Sequence, residues 1–385
     1  MGVQIAGVAS TAFGKHPESS SRELFSTAAA GAFEDASITA TDVDALYVGN
    51  FMGDIVEDQG HMGALMADAV GAREAASVRI ESACASGGAA VRAATHVIDA
   101  GVADVVLVGG CEMMYTVGTE SITDELANAA DNEYENEVGL TFPGIYALMA
   151  RAYMDEFGAT REDLAAVAVK NHANGVDNPI AQFHEEIDVG DVVDSKTIAS
   201  PLGLLDCCPI SDGASAVVLV SDDYAREHDL DASVTILGSG QSSDSVALQD
   251  RADLSRTPAA ERAARDAYDQ AAIEPKDVDV CEVHDCFTIA EVMALEALGL
   301  YERGEGVRGA VDGETALDGR VPVNTSGGLL AKGHPVGVTG VEQVVELTKQ
   351  LEGRHPNQVD DPEVALAHNV GGSGASAVVH VLGRD

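Results

Sequence analysis

The sequence predicts an α/β fold built by duplication: two similar layered halves, with an inserted loop domain in the first. Three observations predict it. The 385-residue chain exceeds the usual size of one domain, and with 46% apolar residues it can bury a large core. The chain also repeats itself, since "ASITATDVDALYVGN" (36–50) and "AAIEPKDVDVCEVHD" (271–285) share Ala, Ile, Asp-Val-Asp and Val in register. Finally, the hexamer "GASAVV" stands at 213–218 and again at 374–379, so matched segments follow one another in the same order in both halves.

Taken in chain order, the first half opens on the β-type run "VQIAGVAS" (3–10), whose partner is "VTILGSGQ" (234–241). A helix follows: Ser20 and Glu23 have capping-box spacing, and Leu24, Phe25, Ala28 and Ala29 share one face. Its counterpart is "PAAERAARDAYDQAA". The repeated Asp-Val-Asp segments then lead into strands. After Cys84, "ASGGAAVRAATHVIDAG" reads as a helix closed by Gly101. "DVVLVGG", "ASAVVLVS" and "ASAVVHVL" are strands apolar enough to lie in a buried sheet.

Partner segments stand about 230 residues apart early in the halves but only about 160 apart at the closing strands, so the first half carries extra residues. The expected division is 1–111 with 206–228 for the first half, 112–205 for the insertion and 229–385 for the second half. Within the insertion, "LTFPGIYALMARAYMDEFG" reads as a helix after Pro143, and the polar "KNHANGVDNP" (170–179) as a loop. Sites in such folds gather at the C-terminal ends of strands, where Cys84, His284 and "NVGGSG" fall.

Acidic residues outnumber basic ones 64 to 22, for a net charge of -42, and they are scattered rather than gathered in a tail. Self-repulsion on this scale calls for screening, and the Debye length shrinks to about 3 Å near 1 M salt. The surface therefore reads as halophilic, with six lysines and no Trp. Nucleic acid and anionic membranes gain nothing from such a surface. The opening "MGVQIAGVAS" lacks signal-peptide character and no run reaches about 18 apolar residues, so a cytoplasmic location is expected. The six cysteines form no CxxC pair, and reduced thiols are expected.

A thiol at a helix N-terminus meets free N–H groups and the positive end of the dipole, which favour the thiolate. Cys84 has that position, although an inert cysteine at a tight turn is the plain alternative. "NTSGGLLAKGHPVGVTG" (324–340) weighs against the plain reading, because it puts His334 at nearly the place in the second half that Cys84 holds in the first. Pseudo-symmetry then brings a thiol and its base face to face. "VHDCFT" adds His284, Asp285 and Cys286; zinc on Cys281, His284 and Cys286 is the competing reading, but no second ligand pair has metal-site spacing. "HNVGGSG" (368–374) offers exposed backbone N–H groups that suit an oxyanion.

"SACASGG", "HDCF", "GGxxxxGHPxG" and the terminal Gly-rich loop, in this order over nearly the whole chain, closely resemble the thiolases. "HDCF" with "HNVGGSG" is similar to the archaeal and sterol-carrier-protein-type branches, rather than to bacterial biosynthetic enzymes with Asn-Glu-Ala-Phe and Cys-x-Gly. The resemblance implies an acetyl-CoA C-acetyltransferase using coenzyme A thioesters as substrates, with no further cofactor and no metal. It makes Cys84 the acylated nucleophile and His334 its base and an oxyanion donor. His284 would hold a water or donate to the enolate, and the N–H groups of Cys84 and Gly371 would bind the thioester oxygen. Asn369 stands where other thiolases place a second catalytic cysteine, which leaves Cys286 to take the α-proton. The insertion corresponds to a loop domain that covers coenzyme A and joins dimers into tetramers, and Phe142 would shape the acyl pocket. A longer-chain 3-ketoacyl-CoA thiolase is the alternative within the class, and a non-catalytic scaffold subunit the alternative outside it. The intact Cys84, His284 and His334 weigh against a scaffold. Implied partners are a second copy of the chain, a small OB-fold and zinc-ribbon protein, and hydroxymethylglutaryl-CoA synthase.

Overall fold

Val, Ile and Ala dominate the β-type runs, and in the computed structural model nine of these runs pair into one sheet; the structure describes residues 2–115 and 118–384. The strands of the first half are β1 (Val3–Ser10), β2 (Ala45–Gly49), β3 (Ala76–Ile80), β4 (Val105–Glu112) and β5 (Gly213–Ser221). The second half supplies β6 (Val234–Ser243), β7 (Val280–Val283), β8 (Val364–Gly371) and β9 (Ser376–Arg384). Their order across the sheet is β3-β2-β4-β5-β1-β6-β9-β8-β7. Read outward from the middle, each half runs through its repeat partners in the same sequence, and a bridge from Cys281 to Val323 stands where β3 lies in the first half. Within the sheet, among the described residues, the halves meet through two rungs, Gln4 with Thr235 and Ile5 with Val234. The duplication legible in the sequence is therefore a pseudo-twofold of the fold.

The repeated Asp-Val-Asp has a structural reason. Asp42 and Asp277 each accept a backbone N–H three residues earlier, at 2.8 Å, and so cap equivalent turns. Asp44 and Asp279 each accept two successive N–H groups, Asp104 and Val105 for one and Glu363 and Val364 for the other, which ties one strand to the entry of its neighbour.

Helices fill both faces. Helix α1 (Ser21–Ala36) has the expected capping box, with Ser20 and Glu23 bonded reciprocally, and packs Leu24, Phe25, Ala28 and Ala29 onto the first half. Helices α2 (Ser86–Asp99) and, at the equivalent place in the second half, Thr339–Leu351 pack against each other in the central layer. The insertion contributes α3 (Phe142–Phe157), which begins at the Phe-Pro pair, and α4 (Arg161–Gly175). Helix α5 (Pro258–Ala271) covers the second half, α6 (Thr288–Ala297) follows β7, and the central-layer helix Thr339–Leu351 is α7.

The expected loop at 170–179 needs correction, because α4 runs on through Lys170, Asn171, His172 and Asn174 before ending at Gly175. These polar residues face inward rather than to water. Lys170 pairs with Glu291 at 3.0 Å, and Asn171 donates to Asp285 (2.6 Å) and Glu291 (2.9 Å). A buried carboxylate cluster in the second half supplies the partners that a polar helix face needs. Apolar residues of α3 and α4, including Ile145, Met149 and Leu164, join Phe287, Ile289 and Val292 in one core, so the insertion clasps the second half beside the end of β7. No helix among the described residues is long and apolar enough to cross a membrane.

Candidate active site

Cys84 follows β3 through a sharp turn, with Ala83 at φ +49, a left-handed conformation that side chains with a Cβ rarely adopt. Two serine contacts hold it: the Ser82 N–H donates to Ser86 Oγ (2.9 Å), and Ser86 Oγ donates to the Ala83 carbonyl (2.6 Å). The expectation of a ready thiolate is corrected here. Burial pushes the Cys84 thiol up to about 12; the N–H groups of Gly372 and Cys84 itself pull it down, and Glu112 pushes it up further. The helix start is outweighed by desolvation, and the resting group is a thiol that needs a base.

The glycines after Cys84 serve close packing. A Cβ on Gly87 would lie 2.9 Å from the Gly337 carbonyl and the Val341 nitrogen, and one on Gly88 would lie 3.0 Å from Asn369 Oδ1. They let the starts of α2 and α7 approach closely.

His334 lies in the loop before α7, with its N–H on Ser211 Oγ (3.1 Å). Its Nδ1 is 2.7 Å from Thr339 Oγ1, which also lies 3.3 Å from the Pro335 carbonyl. Thr339 can accept from Nδ1–H while giving its own proton to that carbonyl, the arrangement that leaves the Nε2 lone pair for the site. Burial pushes this imidazole down to about 3, so it is neutral at pH 7. His284, just past β7, meets the His334 ring edge-on with centroids 4.9 Å apart. Burial, then His334 and His368, hold it well below the usual histidine range. Ligand atoms of Cys84, His284 and His334 all lie within 4.8 Å of one another.

Buried carboxylates pin both histidine loops. Asp285 accepts from the N–H groups of Leu329 (2.7 Å) and Leu330 (3.3 Å), tying the His284 segment to the turn before His334. Glu112, the lone acid at the end of the apolar β4, accepts from the N–H groups of Phe51 (2.6 Å) and Gly337 (3.1 Å), and burial pushes it up to about 8. An acid closing a run such as "VVLVGGCE" was a signal available in the sequence.

Cys286 is buried beside this group, and burial holds its thiol well above the ordinary range, while the Tyr146 hydroxyl, within hydrogen-bonding reach, pulls the other way. Tyr146 is a residue that sequence reasoning missed. It stacks on Phe287 (centroids 4.6 Å) and donates to the Gly372 carbonyl (3.1 Å), so one hydroxyl spans Cys286 and the turn facing Cys84. Gly371 lies at the last rung of β8, opposite Ser376; the N–H that faces the Cys84 sulfur is that of Gly372, one residue on. Phe142, first residue of α3, reaches the same turn, 4.0 Å from where a Gly372 Cβ would project. The zinc trio does not assemble, since Cys281 and Cys286 belong to separate apolar clusters.

The chain that brings Cys84, His284 and His334 together is similar to known proteins over nearly its whole length. Residues 3–223 match the model of the thiolase N-terminal domain, and residues 240–384 that of the thiolase C-terminal domain. An acetyl-CoA acetyltransferase of Methanothermobacter thermautotrophicus is 46% identical over 90% of each chain. Sterol carrier protein 2 of Bos taurus is 33% identical over 90% of this chain and 65% of its own length. Among solved structures, the Ltp2-ChsH2(DUF35) aldolase matches with a TM-score of 0.87 and 29% identity, over 100% of this chain and 98% of that one. The chain belongs to the thiolase family. It is an acyltransferase.

Proposed function

We propose that the protein is an acetyl-CoA C-acetyltransferase that condenses two acetyl-CoA molecules by a ping-pong route and runs thiolysis in reverse. The observation that carries this reading is the Cys84 thiol set against the free Nε2 lone pair of His334. In the first half-reaction, Nε2 takes the Sγ proton as Sγ attacks the thioester carbonyl. The bond from carbonyl carbon to the coenzyme A sulfur breaks, and the neutral thiol of Cys286 protonates that sulfur as it leaves. Cys286 is then a thiolate, and it takes the α-proton of the second acetyl-CoA. The resulting enolate carbon attacks the acetyl group on Cys84, and the departing Sγ recovers its proton from His334. The N–H groups of Cys84 and of the Gly371–Gly372 turn would bind the thioester oxygen, and Phe142 would line the acyl pocket.

The inserted residues 112–205 would cover coenzyme A, the chain would work as a dimer or tetramer, and a small OB-fold and zinc-ribbon subunit and hydroxymethylglutaryl-CoA synthase are proposed partners. The structural relative that pairs Ltp2 with the DUF35 protein ChsH2 supports a small partner. The deciding experiment is incubation with acetyl-CoA followed by mass spectrometry: one acetyl group on Cys84 with stoichiometric release of coenzyme A is expected. Acetyl on another cysteine, or thiolysis retained in Cys84→Ala, would overturn the nucleophile. Thiolysis rates that rise with 3-ketoacyl chain length would favour the longer-chain reading instead, and no turnover of any thioester, with or without a partner subunit, the scaffold.

A further inference from the structure

Among the described residues, the His284 ring is hydrogen-bonded by one side chain, Asn369, and its other nitrogen has no partner: Nε2 is buried and makes no hydrogen bond. A buried, unpaired imidazole nitrogen is unfavourable unless a ligand pairs with it. Which kind of ligand depends on whether that nitrogen carries a proton.

Asn369 decides this. Its Oδ1 accepts from the Gly88 N–H (3.1 Å), and a backbone N–H can only donate. Its Nδ2 is 3.0 Å from the Cys84 carbonyl, which can only accept. The amide therefore has one permissible orientation, and the same Nδ2 is 3.2 Å from His284 Nδ1. Nδ1 must then be the unprotonated nitrogen, which places the proton on Nε2. The amide has no room to turn: Asn369 is buried, and a Cβ on Gly88 or Gly340 would run into its Oδ1.

We infer that Asn369 is a positioning residue that fixes His284 as the Nε2–H tautomer, so that His284 presents a neutral hydrogen-bond donor to an oxyanion. The two histidines of the site thereby take opposite parts. Thr339 accepts from Nδ1 of His334 and leaves its Nε2 a base, whereas Asn369 donates to Nδ1 of His284 and makes its Nε2 a donor. The same tautomer unfits the cluster of Cys84, His284 and His334 for a metal ion, because a protonated Nε2 has no lone pair to give. The inference rests on the thiolase reading for the identity of the oxyanion, the enolate of the second acetyl-CoA, but the tautomer itself does not.

The test compares Asn369→Asp with Asn369→Ala in the full-length protein. Aspartate keeps the size of the side chain but accepts from Nδ1–H, which inverts the tautomer; alanine only releases the ring. Solvent exchange of the acetyl-CoA methyl protons, which reports the enolate, should fall about 10² to 10³-fold in Asn369→Asp, the range for one lost oxyanion donor, and less in Asn369→Ala. Acetylation of Cys84 should change much less in both. A side chain that merely filled space would give the reverse order, with alanine worse, and that result would overturn the inference. Nitrogen-15 spectra of histidine-labelled protein, assigned with His284→Gln, give a reading independent of activity: a neutral ring protonated on Nε2 in the wild type and on Nδ1 in Asn369→Asp. A wild-type ring protonated on Nδ1 would refute the tautomer, whereas an Nε2–H ring in a protein that never acetylates Cys84 would leave the tautomer standing and remove the proposed function.

Discussion

A thiol raised to about 12 and an imidazole lowered to about 3 are both uncharged at pH 7, so the pair stores no thiolate and must move its proton as the bond to carbon forms. This has a measurable sign. Below its pKa the thiolate fraction of Cys84 grows tenfold per pH unit, so its alkylation by iodoacetamide should rise log-linearly between about pH 7 and 10 with no plateau. A plateau near neutrality would mean a preformed thiolate and imidazolium. Tyr146 is tested separately: Tyr146→Phe keeps the ring on Phe287 but removes the hydroxyl beside Cys286. Because Cys286 gives a proton in acetylation and takes one in condensation, both half-reactions should slow by roughly 10 to 10²-fold, on the scale of a weakened proton-transfer group. Half-reactions that both keep the wild-type rate would make Tyr146 a simple anchor of the Gly372 turn. Cys84, His284 and His334 were legible in the sequence because each sits in a Gly-rich or strand-end motif. Tyr146 was not, since an aromatic in an apolar helix reads as core, and the hydrogen bonds of Asn369 depend on residues almost 300 positions away.

At the level of elements, the site loops rest on α7, a helix buried on nearly every side that nonetheless carries Glu342, Gln343, Glu346 and Gln350. Such a helix is tolerable when most of its polar groups are answered, and here Glu342 and Gln343 each keep one buried oxygen without a hydrogen bond among the described residues. Lys332, fully buried two residues before His334, pairs with Glu342 and lies 3.6 Å from Glu282; burial opposes its charge, and these carboxylates outweigh that and hold it above the ordinary lysine range. Glu346 in turn meets Lys349 (2.6 Å) and His355 (3.0 Å). Lys332→Met should therefore destabilise by about 3–5 kcal/mol, the range for stranding a buried charge, and adding Glu342→Gln should recover part of it. Urea unfolding of the two variants checks both steps; a single variant within about 1 kcal/mol of wild type would contradict the paired arrangement. The repeated strands, the capping box of α1 and the Phe-Pro start of α3 were legible because their causes are local. The inner face of α4 was misread as loop because "KNHANG" is polar, and nothing nearby in sequence announces the carboxylates of Asp285 and Glu291 that it meets.

For the whole molecule, the decisive quantity is the excess of 64 acidic over 22 basic residues. The buried lysines Lys170 and Lys332 are already committed to interior carboxylates, so the excess falls on the surface. Exposed pairs such as Arg73 with Asp68 and Lys276 with Glu274 recover little, since surface ion pairs contribute about 0–1 kcal/mol each and salt weakens them. Two opposed trends follow. A protein held together by its surface pairs would lose stability as salt is added, whereas one strained by like charges would gain, because the Debye length falls from about 8 Å at 0.15 M to about 3 Å at 1 M and repulsion beyond adjacent side chains disappears. With so few cations to pair, repulsion outweighs pairing here, and the proposal is that the fold is adapted to molar salt. The melting temperature should climb from 0.1 M to 2 M KCl. It should also climb in MgCl2 at matched ionic strength, since screening depends on ionic strength rather than on the identity of the cation. Replacing exposed acids with glutamine on the outer faces of α1 and α5, Glu34 and Asp269 among them, should raise the low-salt melting temperature and flatten the salt curve. A melting temperature equal or higher at 0.1 M KCl would end the halophilic reading and leave the charge as an ordinary solubility feature.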